Sequence, residues 1–391
     1  MVRFEEIGLE EFLRDYWQKK PLIIRKALPG FVNELSPDEL AGLSMEEEIE
    51  SRIVLQTPEQ RPGWHLKRGP FLERDFANLP ETHWTLLVQG LDRFVPEINE
   101  LLEHFNFIPQ WRIDDVMVSF AVKEGSVGPH YDNYDVFLYQ AIGRRQWSLT
   151  TQHCNETNYL KDVELRIMKQ FETEETYILE EGDMLYLPPH VGHYGIAFSD
   201  ECMTYSFGYR SYQGQEIFDS FAEYISEKKT NLLYKDPNWF TSANSSEIPP
   251  QASFQARKLM LEILDNEEQF KDWFACFVTQ LDQQAESLLP MPEEESLIAK
   301  TSFLAELKRG CAMKRNALCR FAYQMTAKDQ GISFFANGCA WDVSKVSVDL
   351  VKLVANNRSL SKKALSPYIL NSENQAFLFE LWSLEWLSFN E

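Results

Sequence analysis

Residues 114–150 read DDVMVSFAVKEGSVGPHYDNYDVFLYQAIGRRQWSLT, and they carry the clearest β-strand pattern of the chain. It opens a region, from Asp115 to about Arg210, in which short runs rich in β-branched and aromatic residues recur between turn signals. The runs are VMVSFAV, DVFLYQAI, RQWSLT, TYILE, DMLYL, YGIAF and MTYSFGY. Many short strands at this spacing predict a jelly-roll sandwich or barrel.

The segment GPHYDNYD carries a candidate metal site. Successive side chains of a strand point to opposite faces, so His130 and Asp132 would point the same way at the mouth of the sheet. A third ligand from a distant strand would leave three positions of an octahedron open. Two histidines and one carboxylate arranged in this way are the signature of non-haem iron(II) oxygenases.

The second histidine is expected from GDMLYLPPHVGHYGIAF, which offers two candidates. His193 follows a strand and a proline turn and opens the next β run. His190 lies on the Pro-Pro corner, where a side chain is expected to face solvent. We therefore predict His193 as the ligand and keep His190 as its competitor.

Two adjacent arginines, Arg144 and Arg145, precede the run QWSLT, and alternation puts one of them inside the barrel. A buried arginine there would suit a keto-acid cosubstrate, whose far carboxylate needs a fixed cation with planar donors. Ser119, among the inward-facing candidates, could add a hydroxyl donor. The plainer interpretations are two arginines on a solvated strand and a core serine.

The flanking segments have helical patterns. Before the β-rich region these are EEFLRDYW, MEEEIESRIV and HWTLLVQGLDRFVPEINELLEHF. After Gln215 they are EIFDSFAEYISEKK and QARKLMLEILDNEEQFKDWFACFVTQL, then the linker-like AESLLPMPEEES and helical FLAELKRGCAMKRNALCRFAYQ. Strand-like GISFFANGCAWDV is followed by helical VDLVKLVANN, SKKALSPYI and ENQAFLFELWSLEWL, which makes a winged helix plausible. The predicted domains are residues 1–213, 214–300 and 301–391.

A chain of 391 residues is long enough for two or three domains. No apolar run approaches the roughly 20 residues of a membrane helix, and the first residues are acidic, so we expect a cytoplasmic protein without a membrane span. The six cysteines show no CxxC spacing, which argues against a zinc knuckle and a disulfide framework. We expect them to be buried apolar residues in a reducing compartment.

The net charge of -22 is unevenly distributed. Residues 301–391 hold 11 Lys and Arg against 8 Asp and Glu, whereas residues 1–300 hold 27 against 52. A strongly acidic body repels nucleic-acid phosphates and favours a basic protein or peptide, although solubility alone would also explain it. The small positive charge of the last segment argues against strong nucleic-acid binding there.

Several of these motifs together resemble one family. WRIDDVMVSFAV, GPHYDNYDVFLYQAIGRRQW, YLPPHVGHYG and YSFGYR are similar to the bacterial ribosomal oxygenases, JmjC-type arginine hydroxylases, and FLRDYWQKKPLIIR matches their entry segment. The resemblance spans essentially the whole chain and is most specific over residues 111–210. It implies an α+β protein: a double-stranded β-helix (jelly-roll or cupin, JmjC) catalytic domain, then a helical dimerisation domain, then a winged helix.

The resemblance also implies the roles of the site residues. His130, Asp132 and His193 would bind Fe(II), Arg145 would pair with the C5 carboxylate of 2-oxoglutarate, and Ser119 would be a second contact to it. His190 stands where a small residue is usual. With O2, the enzyme would convert 2-oxoglutarate to succinate and carbon dioxide and hydroxylate a substrate side chain.

The implied substrate is an arginine of the sixteenth protein of the large ribosomal subunit, a basic partner that suits the acidic body. A homodimer is implied too, although the apolar stripe of residues 215–283 could equally pack inside the monomer. Three alternatives stay open. They are a JmjC or cupin hydroxylase of histidine or asparagine, a cupin enzyme without a keto acid, and a non-catalytic JmjC scaffold or DNA-binding regulator.

Overall fold

The computed structural model describes residues 1–4, 7–60, 62–228, 232–236, 246–290, 297–326 and 331–389. The chain forms two compact units, Met1–Ser211 and Tyr212–Glu391. Within the ranges just given, no helix combines the length and the apolar character that a membrane crossing needs.

The first unit is mostly β-structure. Its strands are β1 (Leu22–Ile24), β2 (Ser51–Gln56), β3 (Trp64–Arg68), β4 (Trp84–Val88), β5 (Ile113–Ala121), β6 (His130–Tyr131), β7 (Asp135–Ile142), β8 (Arg145–Thr150), β9 (Glu175–Leu179), β10 (Met184–Leu187), β11 (Gly192–Ala197) and β12 (Cys202–Tyr209). Its α-helices are α1 (Leu9–Glu11), α2 (Pro37–Leu43), α3 (Glu73–Ala77) and α4 (Pro96–Leu101). A π-helical turn, Phe12–Tyr16, follows α1, and 3-10 turns occupy Leu91–Arg93, Leu102–Phe105, Gln110–Arg112 and Glu156–Asn158.

These strands form two sheets. The larger has the order β1-β10-β7-β12-β5-β4-β2-β3 and the smaller the order β6-β11-β8-β9. The sheets face each other across an apolar layer to which β7 and β10 contribute Leu138 and Leu185 and β8 contributes Trp147 and Leu149. Two facing antiparallel sheets confirm the predicted double-stranded β-helix.

The outer face of the larger sheet is also covered. Phe137 of β7 and Tyr186 of β10 point outward, and the ring of Phe12, from the N-terminal π-helical turn, lies 5.8 and 5.1 Å from theirs. Every residue of β12 is buried as a result. A strand that is buried on both faces shows a continuous apolar run, which explains the composition of MTYSFGY.

Two helical predictions in the first unit are wrong. In MEEEIESRIV the last four residues belong to β2, which pairs with β3 and β4. In HWTLLVQ the apolar run is β4, buried between β2 and β5, and helical turns begin only at Leu91. Short apolar runs of this kind fit a buried strand and a buried helix equally well, so periodicity alone misassigned them.

The second unit is mostly helical. Its helices are α5 (Gly214–Glu227), α6 (Pro250–Leu264), α7 (Glu267–Thr279), α8 (Gln283–Leu288), α9 (Leu297–Arg309), α10 (Val348–Asn356), α11 (Lys362–Leu365) and α12 (Ser372–Ser383). Its strands are β13 (Met313–Arg315), β14 (Phe321–Met325), β15 (Ile332–Ala336), β16 (Cys339–Trp341), β17 (Ser359–Leu360) and β18 (Leu387–Phe389). They form the sheets β17-β13-β18 and β14-β15-β16.

The core of the second unit joins its two small sheets to the helices through Phe303, Phe334, Leu350 and Phe377. The predicted helix FLAELKRGCAMKRNALCRFAYQ ends at Arg309, because Gly310 adopts a left-handed conformation with φ +78°, and its second half forms β13 and β14.

The predicted linker of residues 285–296 partly forms α8, and its residues 291–296 lie outside the described part. The division of this unit at residue 300 remains a prediction.

The cysteines are free thiols, but they are not uniformly buried. Cys202 and Cys319 are buried, Cys154, Cys276 and Cys311 are half-buried, and Cys339 is exposed. The expectation of six buried apolar residues is therefore wrong for Cys339 and only partly right for the half-buried three.

Candidate metal centre

Two paired strands bring the candidate ligands together. His130 begins β6 and His193 is the second residue of β11, and the two are direct cross-strand partners. Asp132 lies two residues beyond His130, on the same face. One ligand atom from each of the three side chains lies within 4.8 Å of the others, and the described residues contain no other group of this kind.

Backbone carbonyls orient both imidazoles. Nδ1 of His130 lies 2.9 Å from the carbonyl of Gly128, and Nδ1 of His193 lies 3.0 Å from that of Val191. A carbonyl accepts only, so each Nδ1 carries the proton and each Nε2 keeps its lone pair. Nε2 of His193 lies 3.7 Å from Oδ2 of Asp132, and the two rings are 4.2 Å apart.

The imidazole of His193 is in the protonation state that binds a cation. Burial lowers its pKa to about 4, and the neighbouring His130 acts in the same direction, whereas Asp132 opposes it. The imidazole is therefore neutral at physiological pH, which is the form that coordinates a metal.

His190, the competing histidine, lies outside this group. Its side chain is exposed and its backbone is left-handed, with φ +64°. Its backbone N–H donates to the carbonyl of Asp132 at 2.8 Å. His190 therefore helps to fix the loop of Asp132 through its backbone, whereas its exposed imidazole does not belong to the ligand group.

Arg145 is the inward member of the arginine pair. It is 3% exposed, whereas Arg144 is exposed. Its Nε donates to Sγ of Cys202 at 3.4 Å, and its Nη2 is buried without a hydrogen-bond partner in the described part of the chain. A buried guanidinium with an unmatched donor fits an anionic ligand that is bound beside it.

Ser119 faces the same interior. It lies on β5 opposite Thr204 of β12, and its Oγ donates to the carbonyl of Thr204 at the long distance of 3.5 Å. Two residues further along β5, Ala121 packs against Ala197 and Cys202, which adjoin Arg145.

Asp115 and Tyr134 form a second polar feature of this unit, which the sequence did not single out. Oδ2 of Asp115 accepts from Nε2 of Gln89 at 2.5 Å and from the N–H of Gly90 at 3.0 Å. Burial raises the pKa of Asp115 to about 7, and the nearby Asp92 adds to this. The pKa of Tyr134 is raised well above its ordinary value. The charge of Asp132 contributes most, followed by burial and then by the charge of Asp115, so Tyr134 lies near both carboxyl groups.

Two other residues of the interior, Cys202 and Trp147, were not singled out either. The sequence offered no signal for them, because a cysteine and a tryptophan in apolar strands are most often core residues. Their positions beside Arg145 become visible only when the strand register is known.

Comparison with known proteins agrees with this architecture. The family description "JmjC domain" matches residues 100–217, and "ROXA-like winged helix" matches residues 262–388. The winged-helix match begins inside the predicted dimerisation segment of residues 214–300.

The chain is 37% identical to ribosomal protein uL16 3-hydroxylase of Escherichia coli over 288 residues, 72% of this chain and 74% of that one. It is 32% identical to a probable ribosomal oxygenase of Haemophilus influenzae over 379 residues, 95% and 91% of the two chains. A solved structure of the ribosomal oxygenase YcfD of Escherichia coli, in complex with cobalt and 2-oxoglutarate, is 31% identical and matches with a TM-score of 0.83 over 100% of both chains. The chain therefore belongs to the JmjC-type ribosomal oxygenases of bacteria.

Proposed function

We propose that this protein is an Fe(II)- and 2-oxoglutarate-dependent oxygenase that hydroxylates an arginine of the sixteenth protein of the large ribosomal subunit. One observation carries the proposal. Two imidazoles and a carboxylate converge inside a barrel whose inner face also holds Arg145, a buried arginine with an unmatched donor.

In this proposal His130, Asp132 and His193 hold the iron. The donor set of two neutral imidazoles and one carboxylate suits Fe(II) and leaves coordination positions for a chelating keto acid and O2. The backbone acceptors at Gly128 and Val191 hold each ring with Nε2 toward the other ligands. The bound metal and the cosubstrate would supply the oxidation itself, in which 2-oxoglutarate is converted to succinate and carbon dioxide.

Arg145 would bind the C5 carboxylate of 2-oxoglutarate, with Ser119 as a second donor. Cys202 holds the guanidinium through Nε, which leaves Nη2 for the ligand. The long Ser119–Thr204 contact of 3.5 Å can be exchanged for a better hydrogen bond to a carboxylate. The complex of the Escherichia coli relative with cobalt and 2-oxoglutarate supports 2-oxoglutarate as the cosubstrate.

Asp115 supports arginine as the target residue. Its carboxyl group is half-buried, is costly to ionise, and lies near Tyr134, which is also near Asp132. A substrate guanidinium would supply the missing counter-charge and hold the side chain beside the metal. The name of the Escherichia coli relative, a uL16 3-hydroxylase, supports the ribosomal substrate. Such a substrate places the enzyme in the cytoplasm.

A homodimer completes the proposal. Helices α5 and α6 expose large apolar side chains, and α6 has no buried residue at all. The exposed side chains are Phe218, Phe254, Met260 and Leu261. A second copy of the chain would cover them, since exposed apolar surface of this extent marks an interaction site.

The direct test combines the purified protein with Fe(II), 2-oxoglutarate, O2 and the recombinant large-subunit protein. We expect succinate in step with a gain of about 16 Da, one oxygen atom, on the substrate. Tandem mass spectrometry then identifies the residue. A hydroxyl group on arginine supports the proposal. A hydroxyl group on histidine or asparagine would refute arginine as the target residue, and the absence of succinate would refute the oxygenase assignment.

Single substitutions distinguish metal binding from cosubstrate binding. His193→Ala should abolish turnover and weaken Co(II) binding, whereas His190→Ala should retain both, because the exposed imidazole lies outside the ligand group. Arg145→Ala should raise the KM for 2-oxoglutarate by about 100-fold, which is the usual cost of a lost charged partner. Unchanged turnover at low 2-oxoglutarate in Arg145→Ala would remove the cosubstrate assignment.

A further inference from the structure

The inner face of β8 carries a second buried hydrogen-bond donor, besides Arg145, that has no partner among the described residues. Trp147, two residues further along the strand, is 4% exposed, and its Nε1 is buried without a hydrogen-bond partner in the described part of the chain. The indole nitrogen can only donate, and buried donors in folded proteins almost always have an acceptor. Among the described residues these two donors are unmatched and occupy neighbouring inward positions of one strand, which suggests that one bound ligand accepts from both.

The packing of the indole fixes which of its edges faces the neighbouring strand. Trp147 lies opposite Gly195 of β11. A Cβ at Gly195 would lie 2.6 Å from Cζ3 of Trp147, 2.7 Å from Cη2 and 2.9 Å from Cε3, so the six-membered ring lies against this glycine. The N–H belongs to the other ring of the indole and is therefore remote from this contact.

The indole also adjoins both functional groups of the site. Its ring centroid lies 5.6 Å from Cζ of Arg145 and 5.8 Å from the ring of His193. A ligand that extends from the metal to the guanidinium would therefore lie along Trp147. Each carboxylate of such a ligand offers several acceptor positions, more than Nη2 of Arg145 can fill.

We propose that Trp147 is a further cosubstrate-binding residue, whose indole N–H donates a hydrogen bond to a carboxylate oxygen of 2-oxoglutarate. This inference rests on the proposed function. Trp147 would select for a carboxylate at this place and form an apolar wall that keeps water from it. Phenylalanine would preserve the wall and remove the donor, which separates the hydrogen bond from the packing.

The test uses the full chain with Trp147→Phe and, as a matched control, Trp84→Phe, whose indole donates instead to the carbonyl of Pro80 at 2.8 Å. Calorimetric titration of the Co(II)-loaded proteins should give an affinity for 2-oxoglutarate about tenfold weaker in Trp147→Phe and unchanged in Trp84→Phe. Co(II) affinity should be the same in all three proteins. In turnover, the KM for 2-oxoglutarate should rise while kcat stays within about twofold.

A spectroscopic readout reports on the donor itself. In the Zn(II)-loaded protein with 15N-labelled tryptophan, 2-oxoglutarate should shift the indole resonance of Trp147 downfield, as expected for a new hydrogen bond to an anion. This resonance is assigned by its absence in Trp147→Phe. If that variant does not fold, it is assigned by its strong broadening with Co(II), because the ring lies 5.8 Å from that of His193.

The outcomes separate the two proposals. Failure of the wild-type protein to bind 2-oxoglutarate would refute the proposed function and this inference with it. Binding by the wild type, with equal affinity in Trp147→Phe or with an unshifted indole resonance, would overturn the role of Trp147 alone.

Discussion

Burial raises the pKa of Asp115 to about 7, even though its hydrogen bonds to Gln89 and Gly90 act in the opposite direction. The unfolded chain releases this proton near pH 4 and the folded protein near pH 7. Between these values the folded state holds more protons, so its stability falls as the pH rises. We expect Asp115→Asn to remove this part of the pH dependence.

The measurement is the Tm of wild type and Asp115→Asn between about pH 4.5 and about pH 8, which covers most of the interval between the two pKa values and the region just above the higher one. The Tm of the variant should rise relative to that of the wild type as the pH increases to about 7. Above this pH the difference between the two Tm values should stay constant. Asp200→Asn is the control, because Asp200 is exposed and is not among the charges that raise the pKa of Asp115, and its curve should follow that of the wild type. Parallel curves for Asp115→Asn would contradict the expected ionisation.

At the scale of the residue, sequence reasoning succeeded where one strand decides the geometry. His130 and Asp132 were placed together by their spacing, and alternation placed one of Arg144 and Arg145 inside the barrel, of which the family resemblance chose Arg145. Cys202 and Asp115 were missed, because their roles depend on which residue of another strand lies opposite them. That register follows from the whole sheet and not from the neighbours in sequence.

Among the elements, the pair β8 and β11 depends on Gly195. An added Cβ would approach Cζ3 of Trp147 to 2.6 Å, so the indole or the strand must shift. We expect Gly195→Ala to lower the free energy of unfolding by about 1–3 kcal/mol, the usual cost of overpacking a core. Urea unfolding measures it.

Gly42→Ala is the control for this substitution. Gly42 lies in α2, and an added Cβ there meets no atom within 4 Å. Alanine should stabilise the protein by about 0.5–1 kcal/mol, because glycine is a poor helix former. A Gly195→Ala protein as stable as the wild type would show that the indole can move aside freely.

The elements were predicted unevenly. The boundaries of β7 and β8 match the runs DVFLYQAI and RQWSLT residue for residue, because turn residues end both. β4 was misread as helix, because its run WTLLV lacks alternation when both faces are buried. Helix α2, which contacts β4, comes from a distant segment of the chain, and no local pattern contains that information.

The charge of the whole molecule predicts how the substrate arrives. Residues 1–300 hold 27 Lys and Arg against 52 Asp and Glu, and a basic ribosomal protein would be attracted to this surface. We expect the association rate to fall by about tenfold or more between 50 and 500 mM salt, because screening weakens steering. Stopped-flow mixing measures it, and the dissociation rate should change little. A salt-independent association rate would refute electrostatic steering.

The proposed dimer predicts a concentration-dependent mass. Phe254 and Met260 on α6 are 68% and 59% exposed, so polar substitution costs little in the monomer. The double substitution Phe254→Ser and Met260→Ser should convert a dimer into a monomer in light scattering, with an unchanged circular dichroism spectrum. Leu370→Ser, at an even more exposed leucine of the same unit, is the control and should stay dimeric. A monomeric wild type at micromolar concentration would refute the dimer.

The position of β12 determines when the barrel can close. This strand, the last of the first unit, lies between β5 and β7 in the larger sheet. While the polypeptide is being synthesised, β5 and β7 leave the ribosome long before the strand that joins them. Any nascent chain that stops before Cys202 keeps two long apolar strands with unpaired edges, which is the condition for aggregation.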